Sequence, residues 1–138
     1  MQQTHELLRA SHALQRIKAI SNRDADWKDK YASYVESLPA TILNCGLGQA
    51  AASLLAAAKK TESASDIDEH FQLYKDLEDW LCKQAKAPYF GTNKSLIESI
   101  AGGDRSTYMH AQVEALKWLE WMKKLAVAYL KKPKGGEQ

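Results

Sequence analysis

At 138 residues the chain has the length of one domain, enough for a single hydrophobic core and too short for two. It is 45% hydrophobic and 26% charged with four tryptophans, which excludes a disordered chain, and a net charge of +2 excludes an electrostatic clamp spread over the whole surface. Cys45 and Cys82 are too few for a disulfide framework; with no charged-then-apolar leader and no apolar run of membrane-spanning length, the expectation is reduced thiols in a cytoplasmic protein.

From Thr4 to Ser21, Leu7, Ala10, Leu14 and Ile17 recur at helical spacing and predict a first helix with that stripe inward. Asp24 is placed to cap a second helix whose inner face is Trp27, Tyr31, Tyr34, Val35 and Leu38. Pro39 is expected to end it, because the residue before a proline avoids helical geometry, and to open a third helix at its first turn.

That third segment, LPATILNCGLGQAAASLLAAAK from Leu38 to Lys59, is the most unusual in the chain. Gly46 and Gly48 stand inside an alanine- and leucine-rich helical pattern, where each costs about 1 kcal/mol relative to alanine. Gly46, Ala50, Ser53 and Ala57 share a face at helical spacing and predict a bare ridge that another helix, or a strand of nucleic acid, approaches closely.

Ser65 and Asp68 have the look of a capping box for a fourth helix with Ile67, Phe71, Tyr74, Leu77 and Leu81 inward. Lys86 to Asn93, with Pro88 and Gly91, reads as a loop. Ser95 and Glu98 are spaced to cap a short fifth helix that stops at Gly102 and Gly103. Asp104 then starts a sixth helix running to about Lys131, with Tyr108, Ala111, Ala115, Trp118, Leu119, Met122, Leu125, Ala126 and Tyr129 as its core face. Trp121 lies at the edge of that face, while Val113, Leu116 and Val127 carry apolar character beyond it. Glu114, near both tryptophans, fits a buried ion pair or a capping bond better than catalysis. The expected fold is all-α, a single compact bundle of about six helices with a long C-terminal helix over residues 1–131, followed by a tail at 132–138.

The residues carry no chemical signature. His5, His12, His70 and His110 form no metal-ligand grouping, no Ser, Cys and His pattern marks a nucleophile, and Gly46-Leu47-Gly48 lacks the strand and the Gly-Lys-Ser/Thr of a phosphate loop. The expectation is therefore no catalytic residue, no metal and no cofactor. Charge is segregated instead. Seven acids stand against three lysines between Thr61 and Lys86, and seven bases against four acids from Asp104 onward, which suits head-to-tail association. His110, Lys117, Lys124 and Lys131 recur every seven residues on the last helix. His5, Arg9, His12 and Arg16 line the first, and Lys59 and Lys60 close the third. Each stripe reads either as a solvated face or as a run of phosphate contacts.

The LP-x-x-IL-x-x-GLGQA-x-A core of the third helix combines with Tyr108, Glu114-Ala115 and Trp121-Met122-Lys123-Lys124-Leu125-Ala126. From about Tyr31 to Tyr129 this pairing resembles the small α-helical subunit of the Cmr complex, the type III-B CRISPR effector that targets RNA. Ala51 and Ser53 stand where larger apolar residues are common in that family, and Leu125 where phenylalanine is. The resemblance implies a non-catalytic subunit that stacks with copies of itself as a short filament. That filament would run beside the backbone subunits, with the large subunit at one end, and help to hold the guide and target RNA. It implies no membrane role. Arg9, Arg16, Lys59, Lys60, Lys117, Lys124 and Lys131 are then the candidate RNA contacts, and Gly46, Gly48, Ser53 and Trp121 the candidate subunit contacts. Two alternatives stand beside it: the small subunit of the related type III-A effector, and a helical interaction adaptor without RNA.

Overall fold

The structure is a computed structural model that describes residues 4–58, 67–83, 90 and 94–131. Among these residues every regular element is helical, in the order α1 (His5–Ala19), α2 (Ala25–Ala57), α3 (Glu69–Glu78), a π-helical turn (Asp79–Lys83), α4 (Leu96–Gly102) and α5 (Arg105–Tyr129). The all-α expectation holds; the described α-helices number five, where six were expected.

The difference arises in α2. Pro39 does not end a helix: α2 runs through it for 33 residues. An interior proline removes one backbone bond and costs about 3 kcal/mol, but Val35, Leu38 and Ile42 are buried on one face across it, and that burial offsets the cost. The hydroxyls of Ser37 and Thr41 bond the carbonyls of Tyr34 and Ser37 beside the proline. The true interruption is Gly46, with φ 89° and ψ 159°, a conformation open essentially to glycine alone. It divides α2 into two limbs. The joined helix is long and apolar enough to cross a bilayer by length and composition, contrary to the sequence expectation. Yet Tyr31, Val35, Leu38, Ile42, Leu47 and Leu54 point into the bundle.

The first helix is also turned from its expected setting. Thr4 caps it, its hydroxyl accepting from the Leu7 amide at 3.2 Å. Its buried residues are His12, Ala13 and Ile17, while Leu7 is 50% exposed. The apolar stripe was the wrong guide because the polar residues His5, Arg9, His12 and Arg16 face inward to meet carboxylates from α3, its π turn and α5.

Three other starts follow their caps. Asp68 caps α3, its carboxylate accepting from the His70 amide, so the cap stands three residues after Ser65, which lies outside the described residues. Ser95 and Glu98 form the expected capping box on α4, and Asp104 caps α5 through the Thr107 amide. The first-turn amides of α4 are also served from α3: Glu78 accepts from Leu96 at 2.8 Å and Tyr74 from Ile97 at 3.1 Å. α2 packs on α3, α4 and α5, and α1 packs on α5. Ile17, Tyr31, Ile42, Leu47, Leu77, Trp80, Trp118 and Met122 are fully buried at the centre.

Candidate nucleic-acid and subunit interface

The two candidate basic stripes have opposite fates. On α1 the cations are internal. Arg9 grips Glu114 with two bonds, Nε to Oε2 at 2.6 Å and Nη2 to Oε1 at 2.9 Å, in the bidentate geometry that makes arginine–carboxylate pairs strong. His5 reaches the same carboxylate at 3.1 Å and the Trp80 indole donates to it at 3.1 Å. Burial opposes ionisation of Glu114, but the bonds and charge of Arg9 outweigh it, and the carboxyl titrates below its ordinary range.

Arg16 bonds Asp76 at 2.7 Å; Gln72 donates to the same oxygen at 2.8 Å, and the Tyr31 hydroxyl donates to the other. Here burial wins and holds the Asp76 carboxyl above its ordinary range despite Arg16. Arg9 and Arg16 are thus structural cations, not an outward stripe for phosphate. The same geometry accounts for the excess of acids around α3. Asp76 and Glu78 are buried and Asp79 pairs with His12, so these three do not form an acidic docking face.

On α5 the stripe does face outward. Lys117, Lys123 and Lys124 are exposed, and His110 lies on the same side. Lys131 is half-buried, with its ammonium 2.6 Å from Glu36 of α2, so that charge is already matched. Trp121 is half-buried as its edge position predicts, and shares a small hollow with Glu6, Glu120 and Lys124. Beside the lysines Met109, Val113 and Val127 are each about half exposed. Lys59 and Lys60 lie outside the described residues.

The glycine ridge meets a neighbour, and the neighbour is this chain. Breaking the helix at Gly46 frees the amides that follow, and α5 takes them: Gln112 Oε1 accepts from Leu47 at 2.8 Å and the Tyr108 hydroxyl from Gly48 at 2.9 Å. A Cβ on Gly46 would stand 3.0 Å from the Tyr108 hydroxyl, and one on Gly48 would stand 3.3 Å from Ile100 of α4. Gly46 and Gly48 are therefore intramolecular contacts. Ser53 differs, being exposed on the rim of a groove of about 220 Å³ between the limbs of α2, lined by Leu38, Thr41, Ala50 and Leu54.

Of the two roles the sequence left open for Glu114, a buried ion pair or a capping bond, the structure shows the pair; its partner, Arg9, was missed because no local spacing links residues on different helices. It also missed His12. That ring sits between Trp118, whose indole donates to Nδ1 at 2.9 Å, and Asp79, which lies 2.8 Å from Nε2. Among the described residues no group of three or more His, Cys, Asp or Glu side chains is placed to hold a metal ion. The family model described as CRISPR-associated protein (Cas_Cmr5) matches residues 5–129.

Proposed function

The chain belongs to the Cas_Cmr5 family of CRISPR-associated proteins, and from that premise we propose that it is a non-catalytic small subunit of the type III-B RNA-targeting effector. The family match over residues 5–129 is the observation that carries this reading. In it, copies of the chain stack as a short filament beside the backbone subunits that carry guide RNA. They help to hold the guide–target duplex in cytoplasmic antiviral defence. The outward face of α5 is the part suited to nucleic acid: Lys117, Lys123 and Lys124 stand clear of the core against the single acid Glu120. Phosphate contact of this kind is indifferent to sequence, as a subunit that must accept any guide requires. The half-exposed Met109, Val113 and Val127 beside those lysines suit contact with another effector subunit. A role without catalysis fits the way the reactive groups are used, since His12, Asp76, Asp79 and Glu114 all serve to hold helices together.

The test is purification of the tagged chain from its native cell. The expected result is co-purification of a guide RNA and several larger effector subunits, and loss of target-RNA retention when the chain is omitted from a reconstituted complex. Recovery of the chain alone, or an effector that retains target equally well without it, refutes the reading. Nuclease activity that follows the purified chain and disappears on substitution of one of its own residues refutes the non-catalytic part.

A further inference from the structure

The first helix is held less by apolar area than by charge. Its fully buried apolar residues are Ala13 and Ile17, followed by Ile20 just past its end. Against them stand the Arg9–Glu114 and Arg16–Asp76 pairs and the ring of His12. His12 is 3% exposed and lies 5.0 Å from the Trp80 ring and 5.7 Å from the Trp118 ring, centroid to centroid.

The hydrogen bonds of that ring assign its tautomer. The indole N–H of Trp118 can only donate, so Nδ1 accepts and carries no proton. Nε2 therefore carries the proton and donates to Asp79. The neutral ring is fully satisfied in this form. A second proton would have to go on Nδ1, where it meets the N–H of Trp118 donor to donor, beside two fully buried indoles.

We propose that His12 is a proton-operated latch: a proton on Nδ1 breaks the bond from Trp118 and loosens the hold on α1 that it shares with the Arg9–Glu114 and Arg16–Asp76 pairs, so that α1 opens more often while α2 to α5 remain folded. The remaining helices keep their own core, because α2 packs directly on α3, α4 and α5. The charged surroundings divide. Burial holds the His12 pKa below 6.5; Asp79, from the π turn, opposes that, and Arg16, on α1 itself, reinforces it. From α5 the other charge nearby is Glu114, already matched by Arg9. A histidine whose folded pKa is depressed takes up its proton more readily when released. Closure is therefore complete above pH 6.5 and weakens as pH falls toward the folded value. One linked proton sets the limit, about a tenfold rise in the opening equilibrium per pH unit. Asp76 acts with the opposite sign, since its raised pKa favours the folded form as it protonates. Only a comparison with and without the imidazole isolates the latch.

The experiment is amide hydrogen exchange on the whole chain from pH 7.5 to pH 5, corrected for intrinsic rates, with the His12→Gln variant beside it. In the native protein, amides of α1 should gain exchange by up to about tenfold per pH unit below pH 6.5, while those of α2 and α5 stay protected. In His12→Gln the gain should vanish. The proposal is overturned if α1 exchange does not respond to pH, if α2 and α5 open with it, or if His12→Gln responds in the same way. Should that variant fail to fold, the native protein decides by itself: the His12 ring and the Trp118 indole proton are followed by NMR. They must shift together below pH 6.5, and titration of His12 at or above that value overturns the latch.

Discussion

Replacing Gly46 by alanine separates two incompatible accounts of the same residue, and the sign of the result decides between them. In an uninterrupted helix the change gains about 1 kcal/mol, because alanine is the better helix former. At φ 89° and ψ 159° it instead forces an L-residue into a region that costs on the order of 1–3 kcal/mol. The new Cβ would also stand 3.0 Å from the Tyr108 hydroxyl, which is bonded to the Gly48 amide and cannot retreat without giving that bond up. Such a bond is worth about 1 kcal/mol, so the expected loss is roughly 2–4 kcal/mol. For a chain of this size that is a fall in Tm on the order of 10 °C. Gly48→Ala is the internal control: its backbone is helical, so the helix gain is set against a 3.3 Å contact with Ile100 and the net change stays within about 1 kcal/mol. Urea unfolding followed by circular dichroism measures both. If Gly46→Ala is neutral or stabilising, the break in α2 does not exist as described, and the roles given to Tyr108 and Gln112 fall with it.

Arg9→Ala should cost about 3–5 kcal/mol in urea unfolding by stranding the buried Glu114 carboxylate, and a cost below 1 kcal/mol would mean that this carboxylate reaches water. Reversing charge at Lys117 and Lys124 should leave the Tm unchanged and lower target-RNA retention by the reconstituted effector, more so as salt rises; equal retention across a salt series would make that face a solvated one. In the folded protein at pH 8 a thiol reagent should modify the exposed Cys45 and spare the buried Cys82, whose pKa burial raises to about 11; equal labelling of both would show that the site around the π turn opens.

The sequence was legible where structure is local. Ser95 with Glu98, Asp104 with Thr107, and Asp24 with Trp27 are interactions across three residues, and each of these helices starts where its pattern put it. The core face of α5 was equally plain from Ala111 to Ala126, because a helix crossing the middle of a bundle is patterned by one neighbourhood. Failure came where a distant partner overrode local preference. Pro39 is a helix breaker by itself, and only the burial of Leu38 and Ile42 on a shared face carries the helix through it. Gly46 and Gly48 were rightly marked as a place of close approach. What was not legible was that Gly46 has a positive φ and that Tyr108 and Gln112 lie some sixty residues away.

The first helix shows why a basic stripe is a poor sign of nucleic acid. His5, Arg9, His12 and Arg16 recur at spacings that mark one face, and that regularity is the same whether the face meets phosphate or carboxylate. What distinguishes the cases is the rest of the chain. Asp76 and Glu114 stand on the inward faces of α3 and α5, where an unmatched acid would be costly. The buried Asp76 and Glu114 require cations from within, and the first helix supplies Arg16 and Arg9. Lys117 and Lys124 have no such counterparts among the described residues and stay exposed. Charges that remain after the internal acids have been matched are the ones available to a partner. By that criterion Lys117 and Lys124 on the outward side of α5 are open to a partner, while Arg9 and Arg16 are committed to Glu114 and Asp76.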